Sequence, residues 1–208
     1  MSVVNTIDTV TEWVQKVICD SVMLKMPPDS DRAPTDAGYA YQLVTPQAFS
    51  MYVPTKDRCP TERPYNTPSV CVSLMSGADD VAESRGKISI QLTFSAWDPG
   101  EHGADVLVPV AGNPGTVQHL PAGEMSKHYR KAGDGWRDAW NFVDVALRAV
   151  ERTTNIGGLE IDRSEPVKFG PVTEQDAMID FYPFWFAWIS FSVKYPLRRN
   201  AQEIEEFL

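Results

Sequence analysis

Residues 180–196 read DFYPFWFAWISFSVKYP, and no other segment of the 208-residue chain concentrates aromatic and β-branched residues so heavily. Such residues favour extended structure, so the pattern predicts one long strand within Met178 to Leu197. From Ala187 to Tyr195 apolar residues occupy the odd positions, and serine or lysine fills most of the even ones. This alternation predicts that one face of the strand meets a core and the other meets water.

The first half of this stretch, Phe181 to Trp188, is apolar on both faces. A strand of that kind needs cover on both sides, whereas Pro183 removes a backbone donor and belongs at an edge or a bulge. The combination suggests that a neighbouring subunit covers this end of the strand. Cover by the chain's own loops explains the pattern equally well, and both interpretations stay open.

Two amphipathic helices are predicted from apolar stripes of helical period. The first is capped by Asn5 or Thr6 and ends by about Lys25, because Pro27 and Pro28 cannot continue it. Its stripe consists of Ile7, Val10, Trp13, Val14, Val17 and Ile18.

The second helix is expected to begin at Asp134, a good N-cap, and to stop at Gly157-Gly158. Asp138 near its start and Arg152 near its end complement the helix dipole. Packing against a sheet is expected for its stripe of Trp136, Trp140, Val143, Leu147 and Val150, flanked by Ala139 and Ala146.

Lys87–Trp97 gives the clearest further strand, because five apolar residues alternate with five polar ones. Ser69–Met75 precedes it, with a turn expected at Gly77–Asp80. Shorter strands are predicted at Tyr39–Val44, Phe49–Val53, Leu159–Asp162 and Val167–Phe169.

These elements together predict an α/β (α+β) fold of one domain, residues 1–208. A mostly antiparallel or mixed sheet is packed by the long amphipathic helix and the N-terminal helix. Residues 98–133, rich in glycine and proline, are read as a long loop insertion with a short strand at Val106–Val110. Loops of this length tend to be functional or ordered by a partner. Residues 198–208 are read as an acidic tail that offers Phe207 for docking.

The formal net charge of −9 and the pI near 4.8 argue against binding to nucleic acid or to an anionic membrane. The first ten residues lack the pattern of a signal peptide, and no apolar run approaches the roughly 18 residues of a membrane span. We therefore expect a protein made in the cytosol. Cys19, Cys59 and Cys71 are too few and too far apart for a disulfide framework, which predicts reduced thiols.

No catalytic constellation, cofactor site or metal site is predicted. His102, His119 and His128 share the insertion, but their spacing matches no known ligand pattern. Asp79, Asp80 and Glu83 lack the ordered oxygen spacing of a calcium loop, so solvated side chains are expected. The phosphate-binding, dinucleotide-binding and nucleophile-elbow motifs are absent from the sequence. The chain is not expected to be an enzyme.

Three segments in a fixed order carry a resemblance to a known family. They are Gly135-Trp136-Arg137-Asp138, Ile156-Gly157-Gly158 and Tyr182-Pro183-Phe184-Trp185-Phe186-Ala187. With the two strands before them, they resemble the tail-terminator, or tail-completion, proteins of tailed bacteriophages and phage-tail-like particles. The likeness covers about Ser69 to Pro196. Met1 to Thr67 and the 98–133 insertion are longer than expected of small members.

The resemblance implies a virion protein of the tail or neck, made in the cytoplasm of the host bacterium. Its members assemble as a hexameric ring that ends the tail tube and forms the docking surface for the neck or head connector. The implied partners are other copies of the chain, the tail tube protein and the neck or connector protein; the resemblance also allows the sheath protein. DNA would pass through the ring without sequence-specific binding, an acidic lumen would repel its phosphates, and no membrane is involved.

Aromatic and histidine side chains in the final strand, the insertion and the tail are the candidates for subunit or partner contacts. They are Tyr182, Phe184, Trp188, Trp97, His102, His119, His128 and Phe207. Two other functions stay open. The first is another structural tail-tube, neck or baseplate subunit. The second is an enzyme or small-molecule binder with a pocket under the 98–133 insertion.

Overall fold

The structure, a computed structural model, describes residues 2–28, 38–125, 127–175 and 177–197. Its helices are α1 (Val3–Trp13), α2 (Ala122–Met125) and α3 (Trp136–Arg152). The strands are β1 (Leu24–Met26), β2 (Gln42–Val44), β3 (Gln47–Ser50), β4 (Ser69–Asp80), β5 (Arg85–Trp97), β6 (Gly100–His102), β7 (Leu107–Pro109), β8 (Val117–His119), β9 (Tyr129–Lys131), β10 (Asn155–Ile156), β11 (Leu159–Ile161), β12 (Lys168–Pro171), β13 (Thr173–Glu174), β14 (Ala177–Met178) and β15 (Phe184–Pro196).

A seven-stranded sheet lies at the centre of the fold. Its strand order is β10-β11-β15-β5-β4-β3, and β12 also pairs with β15. The longest ladder joins β15 to β5, from Phe184 opposite Trp97 to Pro196 opposite Arg85. Within this sheet the pairs are antiparallel, apart from β3 and β4, which run parallel. Helices with a mixed, mostly antiparallel sheet make this an α+β fold, as predicted.

The final strand behaves as its alternation predicts, because the odd positions from Ala187 to Tyr195 are buried. It begins at Phe184, later than the apolar run suggests. The preceding residues turn instead, and the backbone amide of Phe184 bonds the carbonyl of Phe181 at 2.8 Å. Pro183 lies in this turn, so the strand loses no ladder donor and can occupy the interior of the sheet.

Both predicted helices pack on one face of the sheet. α3 buries Val143, Val150 and the flanking Ala139 and Ala146 as predicted, but its buried stripe excludes Trp136. Trp136 is 41% exposed, and Trp140 is only half-buried. The ring of Phe142 instead meets Phe94 at a centroid distance of 4.9 Å. Small residues at the centre of the stripe let the helix approach the strands closely, so the buried side chains are Ala139, Phe142, Val143, Ala146, Ala149 and Val150.

The first helix begins earlier than predicted, because Ser2 rather than Asn5 or Thr6 is its N-cap. The Ser2 hydroxyl accepts a hydrogen bond from the Asn5 amide at 3.1 Å. Its helical path continues through a π turn and a 3₁₀ turn to Ser21. The chain then becomes extended and enters β1, which occupies part of the span expected to be helical.

The residues predicted to start and stop the second helix, Asp134 and Gly157-Gly158, have different roles in the structure. Asp134 lies in a 3₁₀ turn before α3, and Gly135 takes the N-cap position. The helix ends at Arg152, and Gly157-Gly158 forms the turn between β10 and β11, where both residues have positive φ. The predicted helix stop was therefore wrong: this glycine pair turns a hairpin.

The predicted turn at Gly77–Asp80 was also wrong, because β4 continues to Asp80. The chain reverses at 81–84, where the Asp80 carboxylate accepts hydrogen bonds from the amides of Ala82 and Glu83 at 3.0 Å each. The other predicted strands are present with shorter or shifted bounds, as β2, β3, β11 and β12.

The face of the sheet opposite the helices carries an ion-paired cluster around Asp162, whose side chain is 1% exposed. Lys194 Nζ lies 2.7 Å from Oδ1, and Lys87 Nζ lies 2.9 Å from Oδ2. The hydrogen bond from Lys194, with those from Ser164 and Lys87, lowers the pKa of Asp162 below its ordinary value near 3.8. The carboxylate is therefore charged in the folded protein at any neutral or mildly acidic pH.

We expect Asp162→Asn to destabilise the protein at pH 6 and to have progressively less effect below about pH 4. A carboxyl group whose pKa is lower in the folded state than in the unfolded state stabilises the folded protein. This stabilisation is complete above the unfolded-state pKa and is lost as the pH falls through the folded-state pKa. Thermal melts of both proteins from pH 6 to pH 2.5 measure this. A difference that stays constant over the range would contradict the assigned role. Glu160→Gln, which alters an exposed carboxylate two residues earlier, on β11, is the control.

Candidate interaction surface

The 98–133 insertion is built from short regular elements, contrary to the loop that its composition predicts. β6 pairs with β9, and β7 pairs with β8, both antiparallel. β7 confirms the strand expected within Val106–Val110. The insertion is thus a small structure of its own at the end of the main sheet, where β5 ends and β15 begins.

An aromatic anchor holds this insertion to the sheet; it consists of Tyr39, Trp97, His102, Tyr129 and Tyr182. The Tyr39 ring centroid lies 4.8 Å from His102, 5.3 Å from Trp97 and 5.5 Å from Tyr129. Its hydroxyl donates to the carbonyl of Gly100 at 2.5 Å. Burial raises the pKa of Tyr39 above its ordinary value of 10, so the hydroxyl remains a donor.

Tyr182 ties the turn before β15 to the same anchor. The hydroxyls of Tyr182 and Tyr129 lie 2.7 Å apart and approach the carbonyl of Pro99 at 2.6 Å and 3.1 Å. The ammonium of Lys131 lies 4.2 Å from the Tyr182 ring centroid. Burial raises the pKa of Tyr182 too, which keeps this hydroxyl protonated. The anchor therefore gives the insertion a fixed base.

Two of the predicted contact residues are buried by the chain itself. Trp97 is 3% exposed and His102 is 8% exposed, so the surface of one copy does not present them. This corrects their selection as interface candidates and shows that the chain's own residues cover the outer face at Trp97. His102 also accepts a hydrogen bond from the Ala104 amide, and burial lowers its pKa below 6.5.

The remaining candidates occupy different places. Tyr182, Phe184 and Trp188 are half-buried, and the Trp188 indole donates to the carbonyl of Pro171 at 2.8 Å. His119 is fully on the surface, on β8. His128 is half-buried, and within the described residues its Nε2 atom has no hydrogen-bond partner. Phe207 and the rest of the predicted tail lie outside the described residues.

The most exposed part of the insertion is a hairpin arm, residues 106–120, which contains β7 and β8. No Asp, Glu, Lys or Arg occurs in these fifteen residues, although such residues make up 23% of the chain. Leu107 is 54% exposed and Val117 is 56% exposed. In the described part of the chain, β7 and β8 pair only with each other. The arm is therefore an exposed, uncharged surface with two large aliphatic side chains at its face.

A second uncharged surface is an aromatic cleft between the start of α3 and the segment leading into β15. Its volume is about 50 Å³. Trp136 is 41% exposed and Phe181 is 44% exposed at its rim. β12 pairs with β15 only from Ala187 onward, which leaves the first residues of β15 open to this cleft. The aromatic lining is Trp136, Trp140, Phe181, Phe184, Trp185 and Phe186.

A polar cleft of about 430 Å³ also lies beside the insertion, where a small-molecule pocket was the alternative expectation. Lys25 bridges Asp98 at 3.2 Å and Asp105 at 3.6 Å, and Arg130 lies 3.9 Å from Glu101. Its principal charges are thus paired with one another. Across the described residues, no group of three His, Cys, Asp or Glu side chains is arranged to hold a metal ion. None of the described helices is both long and apolar enough to span a membrane.

The chain matches no protein-family model, and no curated protein is significantly similar to it in sequence. The candidate interaction surface is therefore described from the structure of this chain alone. Sequence patterns indicated the arm only indirectly, through three histidines in the long 98–133 loop. A direct signal was present, namely a fifteen-residue charge-free run in an acidic chain. Tyr39 had no such signal, because its partners in the aromatic anchor lie about 60 to 90 residues further along the chain.

Proposed function

We propose that this protein is a structural part of a tailed bacteriophage or phage-tail-like particle. It closes as a hexameric ring on the end of the tail tube, stops tube polymerisation and offers the docking surface for the neck or head connector. The hairpin arm carries the proposal. An exposed element without Asp, Glu, Lys or Arg, held on an aromatic anchor, is suited to binding another protein.

The packing of two of the three segments that carry the resemblance also supports the proposal. Gly135, which opens one segment, lies against Trp185 in another, and the Trp185 indole donates to the carbonyl of Asp98 at 2.9 Å. Together they connect the base of the insertion, the start of α3 and the start of β15. These two segments thus meet at one end of the sheet, whereas Ile156-Gly157-Gly158 forms the β10–β11 turn, near the other end of β15.

A ring of identical subunits needs two different surfaces on each copy, because heterologous contacts close only when one patch meets another. The arm and the aromatic cleft are two such surfaces. Closure occupies both, which explains how a ring can end a filament. The acidic chain, with a net charge of −9, suits a ring through which DNA passes without binding.

Native mass spectrometry and negative-stain images across a concentration series test the proposal. We expect closed rings with six times the mass of the 23.2 kDa chain, and we expect these rings to halt elongation of purified tail tube protein. Tubes of indefinite length would support a tube subunit instead. A monomer that leaves tube elongation unchanged and gains thermal stability with a metal ion or metabolite would support a binding protein, and would overturn the proposal.

A further inference from the structure

We propose that the hairpin arm of one copy docks into the aromatic cleft of a second copy, with Leu107 and Val117 as the contact side chains. This inference rests on the proposed function, because it assigns the contact between neighbours in the ring. It makes a more specific claim, since it names both surfaces and predicts self-association of the free protein.

The register of the arm places its apolar side chains on one face. Leu107 lies opposite His119, and Pro109 lies opposite Val117. Directly paired residues of an antiparallel ladder point to the same side, so these four side chains share a face, and all four are exposed. Val108, on the other face, is half-buried. The arm thus turns its apolar face outward, toward solvent.

The two surfaces match in charge. The arm contains no Asp, Glu, Lys or Arg, and the described residues that line the cleft are all apolar or aromatic. Contact between them would bury no ionised side chain from either lining, so no charge would lose its water without a partner. In an acidic chain with 28 Asp and Glu residues, two exposed surfaces without charge are well suited to each other.

The two surfaces also match in size. A cleft of about 50 Å³ is far smaller than the roughly 300–1,000 Å³ of small-molecule pockets, so it suits a side chain of a partner better than a free ligand. Leu107 and Val117 are aliphatic and more than half exposed. Aromatic side chains at the rim, Trp136 and Phe181, provide the large rigid contact area that is common at the centre of interfaces.

The cleft is filled by another copy rather than by its own arm. The arm packs beside the turn at Gly103–Asp105, and the amide of Leu120 bonds the carbonyl of Val106 to close its base. No described residue of the arm lines the cleft of the same chain. The contact therefore joins two different patches on two copies, which gives a heterologous interface.

Leu107→Asp and Phe181→Asp test the two sides of the contact, and Gln118→Asp is the matched control. Gln118 is exposed on the same arm but on its other face. The dissociation constant for self-association is measured by sedimentation, and circular dichroism checks that each variant is folded. We expect each of the first two variants to weaken self-association at least about tenfold, and the control to leave it unchanged.

The double variant Leu107→Asp with Phe181→Asp separates one shared contact from two independent effects. If the two side chains meet, the double variant weakens self-association little more than either single one. A wild-type dissociation constant in both single variants would overturn the inference, as would effects that multiply, or a wild-type protein that is monomeric throughout. Mapping a photo-crosslinker placed at position 107 gives an independent result, with attachment expected within 136–140 or 179–186 of another copy.

The outcomes for the contact and for the ring are distinguishable. Closed rings that Leu107→Asp leaves intact would retain the proposed function and overturn the arm-in-cleft contact. Open chains or dimers that Leu107→Asp and Phe181→Asp both disrupt would retain the contact and overturn the closed ring.

Discussion

Replacing Trp97 with alanine is expected to lower the free energy of unfolding by about 3–5 kcal/mol, the range for removing a buried Trp or Phe side chain. Trp97 is 3% exposed, and its ring meets Tyr39 edge-on at 5.3 Å. The substitution opens a cavity within the aromatic anchor, so the insertion should loosen together with the loss of stability. Urea denaturation followed by circular dichroism gives the free energy, and hydrogen exchange of residues 98–133 reports the loosening.

Trp136→Ala is the matched control, because it removes the same side chain from a position that is 41% exposed. We expect a much smaller loss of unfolding free energy there, with the effect appearing in self-association instead. If Trp97→Ala disrupted assembly while stability stayed at the wild-type value, cover by a neighbouring subunit would be the better description of this strand end. Equal losses in both variants would also contradict the assigned packing.

Strands of the main sheet could be predicted from sequence wherever burial of one face makes apolar and polar residues alternate strictly. β5 and the second half of β15 are of this kind, since each places apolar side chains toward α1 and α3 and polar ones on the opposite face. A shift of one residue would reverse every side chain, so the pattern specifies the register strongly. The apolar run before Phe184 has no alternation of apolar and polar residues, so the turn at this position was not predicted.

The helix boundaries and the stripe of α3 depended on tertiary contacts that local patterns do not contain. Large side chains such as Trp136 and Trp140 were expected at the centre of the stripe, but close packing on the sheet favours the small Ala139 and Ala146 there. Gly157-Gly158 has the composition of a helix stop and of a hairpin turn alike. Only the pairing of β10 with β11 decides between them.

The aromatic anchor depended on contacts that are distant in sequence. Tyr39 reaches Gly100 and Tyr129, and Tyr182 reaches Pro99 across 83 positions. Each of these side chains looks like an ordinary aromatic residue in its own segment. The sequence could therefore indicate that the insertion mattered, through its length and composition, without indicating what holds it or which part stays exposed.

Gly135→Ala is expected to lower the free energy of unfolding by about 2–4 kcal/mol. Overpacking typically costs about 1–3 kcal/mol, and the loss of a hydrogen bond adds about 1 kcal/mol. An added Cβ would lie 2.3 Å from Trp185 Nε1 and 2.6 Å from the carbonyl oxygen of Asp98. These two atoms form the hydrogen bond that joins β15 to the base of the insertion, so the methyl group must push them apart.

The backbone alone would favour this substitution. Gly135 has φ −60° and ψ −17°, a helical conformation that alanine adopts readily, and replacing such a glycine usually stabilises a protein by about 0.4–1 kcal/mol. The sign of the effect therefore reports the contact with Trp185. Gly133→Ala, two residues earlier in the same turn, has nothing within 4 Å of an added Cβ and should be neutral or slightly stabilising.

The double variant Gly135→Ala with Trp185→Phe locates the cause. Phenylalanine lacks the Nε1 atom that the new methyl group would meet, so the double variant should lose less free energy than the sum of the two single losses. Strict additivity would place the strain elsewhere. A stabilised Gly135→Ala protein would show that β15 and the turn before α3 are not in close contact. Packing between 135–138 and 182–187 would then not explain why both segments occur in this chain.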